Sequence, residues 1–128
     1  MGQKKIVLVD TDILIKVFRG HAGHKKCLDN LEGRIAISVI TVLELYQGVG
    51  SKKRKYELEK QLKAYHVLPL NEQISLAAIL LMKKYTPENQ LLPPDGLIAA
   101  TVLHQQLELY TDNKKDFGFI KGIRFYIP

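Results

Sequence analysis

Lys5-Ile6-Val7-Leu8-Val9-Asp10 is a short apolar run with no alternation, closed by an acid. A strand with one wet face alternates apolar and polar residues. A run that is apolar on both sides suits the middle of a parallel sheet covered by helices above and below. Outward from it, Arg34–Ser38, His66–Leu70 and Leu107–Thr111 read as further strands. Helical segments fill the gaps: Ile13–Phe18 and His21–Leu31, then Val39–Gly48 and Ser51–Tyr65, then Glu72–Tyr85 with Asn71 as its cap. A last helix opens at about Asp95, because Pro93-Pro94 suits a helix start and not an interior. Phe117-Gly118-Phe119 reads as a turn and Ile123–Ile127 as an edge strand. The alternation predicts a three-layer α/β/α sandwich with a mostly parallel central sheet, as one domain over residues 1–128.

Composition narrows the function classes. With 128 residues and 46% apolar content the chain can bury a core without staples, which excludes disorder. Cys27 is the only cysteine, so no disulfide framework forms within the chain, and a reducing compartment, the cytoplasm, is expected. No apolar run reaches membrane-spanning length, and Met1-Gly2-Gln3-Lys4-Lys5 leads straight into the first strand without a leader. A net charge of +6 points to a polyanionic partner, and Lys52-Lys53-Arg54-Lys55 is the densest basic cluster. Such a cluster is equally a solvated helix face.

The acids carry the chemistry. Asp10 ends the first strand, and ligands of open α/β sheets bind beyond the carboxyl ends of strands. Asp10 or Asp12 caps the following helix, and Asp12 is the preferred cap, leaving Asp10 free. Asp95, Ile98, Ala99 and Val102 share one helix face, so Asp95 is either a cap or a carboxylate on an apolar stripe that needs a partner or a metal. Asp112 and Asp116 follow the fourth strand. On the helix 39–48, Val42, Leu45, Tyr46 and Val49 make the core face, which leaves Glu44 opposite: solvated, the reading the pattern favours, or facing the cleft of Asp10 if that side borders the sheet's carboxyl edge. His21, His24 and Cys27 are spaced like zinc ligands, but three-residue steps drift around a helix and no fourth ligand is near in sequence; they read as surface and edge residues. A set of oxygen donors favours a hard cation, Mg²⁺ or Mn²⁺, and such a centre suits phosphoryl chemistry.

Four segments then resemble the motifs of PIN-domain ribonucleases of the VapC toxin branch: Val9–Leu14, Ile40–Gly48, Asp95–Thr101 and Thr111–Phe117. The similarity runs nearly end to end. It implies that Asp10, Glu44 and Asp95 bind Mg²⁺ or Mn²⁺ with a fourth acid, Asp112 or Asp116, and this reverses the solvated reading of Glu44. It implies that Thr11, Thr41 and Asn113 hold the carboxylates by hydrogen bonds, with Asp12 standing where relatives often carry Asn or Ser. It further implies hydrolysis of RNA to a 5′-phosphate and a 3′-hydroxyl, a homodimer, and inhibition by a small antitoxin whose C-terminal segment blocks the cleft. Three alternatives stand beside it. One is a general RNA-processing PIN nuclease without an antitoxin, and another a non-catalytic RNA-binding PIN-like domain. The third is a haloacid-dehalogenase-type phosphatase with Asp10 as nucleophile and Asp12 as general acid, which leaves Glu44 and Asp95 unused.

Overall fold

The structure, a computed structural model, describes residues 5–128; the leaderless lead-in read from Met1–Lys4 lies outside them. Strands β1 (Val7–Val9), β2 (Ile35–Ser38), β3 (His66–Leu68) and β4 (Glu108–Tyr110) pair in parallel in the order β3-β2-β1-β4. Helices α1 (Thr11–Phe18) and α2 (Ala22–Asn30) connect β1 to β2, and α3 (Val39–Gln47) with α4 (Lys52–Leu62) connect β2 to β3. Helices α5 (Glu72–Tyr85) and α6 (Pro93–Gln105) lead into β4, and a short 3₁₀ turn, Lys114–Asp116, follows.

The two-sided burial inferred for the first strand is what the sheet displays. Val7 and Val9, with Ile37 and Tyr110, pack against Ile13, Leu14, Leu28 and Leu58 on one face. Leu8 and Leu109 point the other way, into Ile98, Ala99, Val102, Phe117 and Ile120. The chain steps from β1 outward to β2 and β3, then returns to add β4 on the far side of β1. That reversal makes a switch point between β1 and β4, where a crevice opens at the carboxyl ends of the strands.

Several local expectations change. The residues 123–127 form no strand: Gly122 at φ 92° bends the chain, and only Phe125 bridges Leu109. Asp10, not Asp12, is the cap of α1, its carboxylate accepting from Thr11 N. On α3 the buried stripe is turned by one residue, to Thr41 and Leu45, while Tyr46 is exposed. Thr41 is buried as a hydrogen-bonding residue, which an apolar pattern does not register, and its burial swings Glu44 to a half-buried position. Asn71 caps α5 as read, its Oδ1 accepting from the Ile74 amide N–H at 2.8 Å. Helix α5 is apolar on two sides but buries only Ile74, Ala78 and Tyr85; Leu76, Ile79 and Leu80 are 54–65% exposed.

Phe117 is fully buried immediately after the 3₁₀ turn and anchors that turn to the core of the second face. Phe117→Ala removes most of a buried aromatic ring and is expected to lower stability by about 3–5 kcal/mol. Urea unfolding checks this; a loss below about 1 kcal/mol would mean that the turn is held by other contacts.

Candidate active site

Asp10 stands at the switch point, its backbone N–H extending the ladder to Tyr110 O at 2.9 Å. The residue is 6% exposed. Its Oδ1 accepts from Thr11 N at 2.8 Å and its Oδ2 from the Thr111 hydroxyl at 2.8 Å. Burial, then the neighbouring Asp12 and more weakly Asp95, overcome those hydrogen bonds and push its pKa up to about 7.

Glu44 reaches the same region from α3. The Thr11 hydroxyl lies 2.7 Å from Glu44 Oε1 and 2.9 Å from the Thr41 hydroxyl. With one proton per hydroxyl, Thr11 donates to Glu44 and receives from Thr41, so a buried relay fixes the carboxylate. Thr11 and Thr41 thus join Glu44 in one hydrogen-bonded chain.

Asp95 is the third residue of α6, and the cap position belongs to Leu92, which contributes no side-chain hydrogen bond. The cap reading of Asp95 is thus replaced by the other one: a half-buried carboxylate beside other acids. Burial, then Asp116, Glu44 and Asp12, push its pKa up to about 6. Asp95 is thus within electrostatic reach of Asp10 at the end of β1, Glu44 on α3 and Asp116 in the 3₁₀ turn.

The two acids of the last segment part ways. Asp116 lies beside Asp95 on the wall of one cavity. Asp112 faces the other flank, where its Oδ2 is ion-paired with Lys16 Nζ and lies 2.8 Å from His24 Nε2. Burial raises the pKa of Asp112, but the hydrogen bonds from Lys16 and His24 outweigh it and the net shift is downward. Sequence reasoning missed Lys16 and His24, since neither falls in an acid-bearing segment and only the folded topology brings α1 and α2 to the end of β4. His24 is not a loose surface residue: its Nδ1 also lies 2.7 Å from His21 Nδ1, and His21 caps α2.

Asp12 has a structural job of its own. Its Oδ2 accepts from Asp112 N at 3.0 Å, from Asn113 Nδ2 at 3.1 Å and, at the long limit, from the Thr111 hydroxyl at 3.4 Å. Asp12 thereby pins the start of the loop that carries Asp116, and Asn113 holds Asp12 rather than a carboxylate of the cleft centre. Asp12→Ala is expected to speed hydrogen exchange at the Asp112 amide by about 10-fold or more, and Asp12→Asn, which keeps an acceptor oxygen, by much less. Equal exchange in all three proteins would remove this role.

Among the described residues, no three Asp, Glu, His or Cys side chains close around a point as they stand. The reason is visible in the hydrogen bonds: Asp10 and Glu44 are turned toward Thr11, Thr111 and their neighbours. The donor chemistry of the acid cluster fits a hard divalent cation, being oxygen only, with mutual repulsion at Asp10 and Asp95 that a cation would relieve. Lys52, Lys53, Arg54 and Lys55 are all exposed on α4. Of these, Arg54 shares a cavity of about 220 Å³ with Glu44, lined also by Ile15, Phe18 and Arg19; the other three are not brought to it.

Fold and site define a class, an α/β/α domain with carboxylates gathered at the switch point of a parallel sheet. Residues 7–120 match the PIN domain family, and the chain belongs to it. It is 33% identical to ribonuclease VapC10 of Mycobacterium tuberculosis over 128 residues, covering 96% of each chain. To ribonuclease VapC1 of Methanocaldococcus jannaschii it is 29% identical, covering 94% of this chain and 86% of the relative. A toxin–antitoxin complex from Klebsiella pneumoniae superposes with a TM-score of 0.79 at 32% identity, covering 91% of this chain and 94% of the other. DNA-bound VapBC from Salmonella typhimurium shares the fold with a TM-score of 0.84 at 24% identity, covering 96% and 98%.

Proposed function

We propose that this chain acts as a single PIN-like domain, a Mg²⁺- or Mn²⁺-dependent endoribonuclease and the toxin of a toxin–antitoxin pair. The observation that carries the reading is the meeting of Asp10, Glu44, Asp95 and Asp116 from four separate elements at one cleft, two of them with pKa values pushed up to about 7 and 6. Named VapC ribonucleases among its relatives, and the Klebsiella toxin–antitoxin complex, support it. We take Asp116 as the fourth acid, because Asp112 is engaged by Lys16 and His24.

Asp10, Glu44, Asp95 and Asp116 would hold the cation, which when bound lowers the pKa of water and offsets charge on a phosphate. The chain's own residues prepare the cleft. Thr11 and Thr41 fix Glu44, Thr111 and the Thr11 amide fix Asp10, and Asp12 fixes the loop leading to Asp116. The basic surface, with Arg19 and Arg54 on the cavity that Glu44 lines, draws in the polyanion. Attack by the 2′-hydroxyl of RNA needs a free general base. His24 is engaged through both ring nitrogens, by His21 and Asp112, and the resemblance to PIN-domain ribonucleases implies products with a 5′-phosphate and a 3′-hydroxyl. The phosphatase alternative loses its general acid, since Asp12 is committed to the 111–113 segment. Incubation of the purified protein with total RNA containing tRNA and ribosomes, in Mg²⁺ or Mn²⁺ and again with chelator, tests the reading. Chelator-sensitive cleavage with 5′-phosphate ends supports it; tight RNA binding with no cleavage in any metal would favour the non-catalytic alternative, and 2′,3′-cyclic phosphate ends would exclude this site.

A small cognate antitoxin whose C-terminal segment covers the cleft completes the proposed unit, acting in the cytoplasm. No helix among the described residues is long and apolar enough to cross a membrane. The exposed Leu76, Ile79 and Leu80 fall at i, i+3 and i+4 on α5, and we assign that face to a second copy of the chain. Ile79→Glu is expected to convert a dimer into a monomer in sedimentation velocity. A wild-type protein that sediments as a monomer at all concentrations would remove the assignment.

A further inference from the structure

Beyond the acid cleft lies a second cavity, of about 240 Å³, whose wall includes Asp95 and Asp116. Resting on the ribonuclease reading, we propose that this cavity is a base-reading subsite that holds one unpaired nucleobase of the RNA beside the phosphate to be cut.

Its lining has the three chemistries a nucleotide demands, in the right relation to the acids. Phe119 supplies an aromatic face. The ring is half-buried and fixed edge-to-face on Tyr85, with centroids 5.3 Å apart and planes at 61°. Tyr85 is held in turn, its hydroxyl accepting from Lys121 N at 3.0 Å. A ring already immobilised loses little freedom when a base stacks on it. Asn89 and Gln90 supply amides, each carrying a donor and an acceptor, which is the pattern that reads the Watson–Crick edge of an unpaired base. Lys115 supplies a cation for an adjoining phosphate. Leu92, 61% exposed, closes the apolar part of the mouth.

Continuity with the acids of the proposed centre argues for a nucleotide over a peptide. The cavity opens onto the same two carboxylates that take part in the proposed centre, so an occupant attached to a phosphate there is the one that gains both contacts. None of these residues lies in a basic cluster or, apart from Asp95, Lys115 and Asp116, in the acid-bearing segments, and the loop 89–92 meets Phe119 only through the fold.

The test has one arm with cleavage and one without. In the first, RNAs varied at each base around the cut are digested by wild type, Phe119→Leu and Asn89→Ala. A base preference at a single position in wild type, flattened in both variants with KM raised about 10-fold for the preferred base, supports the subsite. A preference retained in both variants overturns it while leaving the ribonuclease reading intact. In the second, the side-chain amide resonances of Asn89 and Gln90 are followed in ¹⁵N-labelled protein titrated with the four nucleoside 5′-monophosphates and with inorganic phosphate alone. Shifts that depend on the base and weaken about 10-fold in Phe119→Leu support the subsite even if no RNA is cut, in which case it is the nuclease reading that falls. No shift, the same shift with phosphate alone, or shifts produced only by a copurified partner protein overturn it.

Discussion

Asp95→Asn is expected to reduce RNA cleavage by at least about 100-fold while making the metal-free protein more stable. The two effects have one cause. Asp95 is a half-buried carboxylate whose pKa is pushed up by burial and by Asp116, Glu44 and Asp12. Asn is nearly isosteric and keeps an acceptor oxygen, so helix α6 and its packing through Ile98 and Ala99 should survive. What disappears is the negative charge, costly to the folded chain and required by a cation. A purely structural residue behaves the other way, losing stability and activity together. Parallel purification of wild type and variant, assayed on the same RNA and melted in the same metal-free buffer, checks both halves. Equal cleavage by the two proteins would remove Asp95 from the reaction. A lower melting temperature in the variant at pH 8 would mean that Asp95 makes a stabilising contact that outweighs its repulsion.

Much of this arrangement was legible in the chain. The apolar run 5–10 determines a central strand because a parallel strand has no wet face, and β1 is buried throughout as that argument requires. Asn71 and the prolines at 93 and 94 mark helix starts through local chemistry that needs no tertiary context. Glu44 was harder. Apolar periodicity placed it on the solvated side of α3, and only its resemblance to a known motif pointed inward; the physical reason is Thr41, a polar residue fully buried through its hydroxyl. The division of labour between Asp112 and Asp116 was not legible at all. It depends on Lys16 and His24, 96 and 88 residues away in the chain, whose approach follows from the return of β4 to the side of β1. The isolated bridge at Phe125 failed as a strand for a similar reason, since the bend at Gly122 decides how many residues can align with β4.

The second large effect concerns pH. In the unfolded chain Asp10 titrates near 3.8, and in the folded, metal-free protein near about 7. Well below pH 3.8 both forms hold the proton and the folded state enjoys the full difference. As pH rises toward 7 the unfolded chain has released a proton that the folded one still keeps, so stability falls, and it levels off above 7. Asp95 contributes the same sign over a narrower window, from 3.8 to about 6. Asp112, with its pKa lowered, acts oppositely and only at the acid end, losing its contribution as pH falls below 3.8. Substitution isolates the Asp10 component. In Asp10→Asn the amide oxygen can still accept from Thr11 N, and the Thr111 hydroxyl can rotate to accept from the new NH₂. The variant should melt at least about 5 °C above wild type at pH 8 and nearly match it at pH 4, because the difference between the two proteins cancels the titrating groups remote from Asp10. A gap of the same size at both pH values would assign the stabilisation to packing and not to charge. Mn²⁺ should close the gap at pH 8 by raising the melting temperature of wild type alone, since a cation that needs the ionised carboxylate stabilises only the protein that can supply it. If Mn²⁺ raised both proteins equally, Asp10 would not be among its ligands, and the proposed set would have to be rebuilt around Glu44, Asp95 and Asp116.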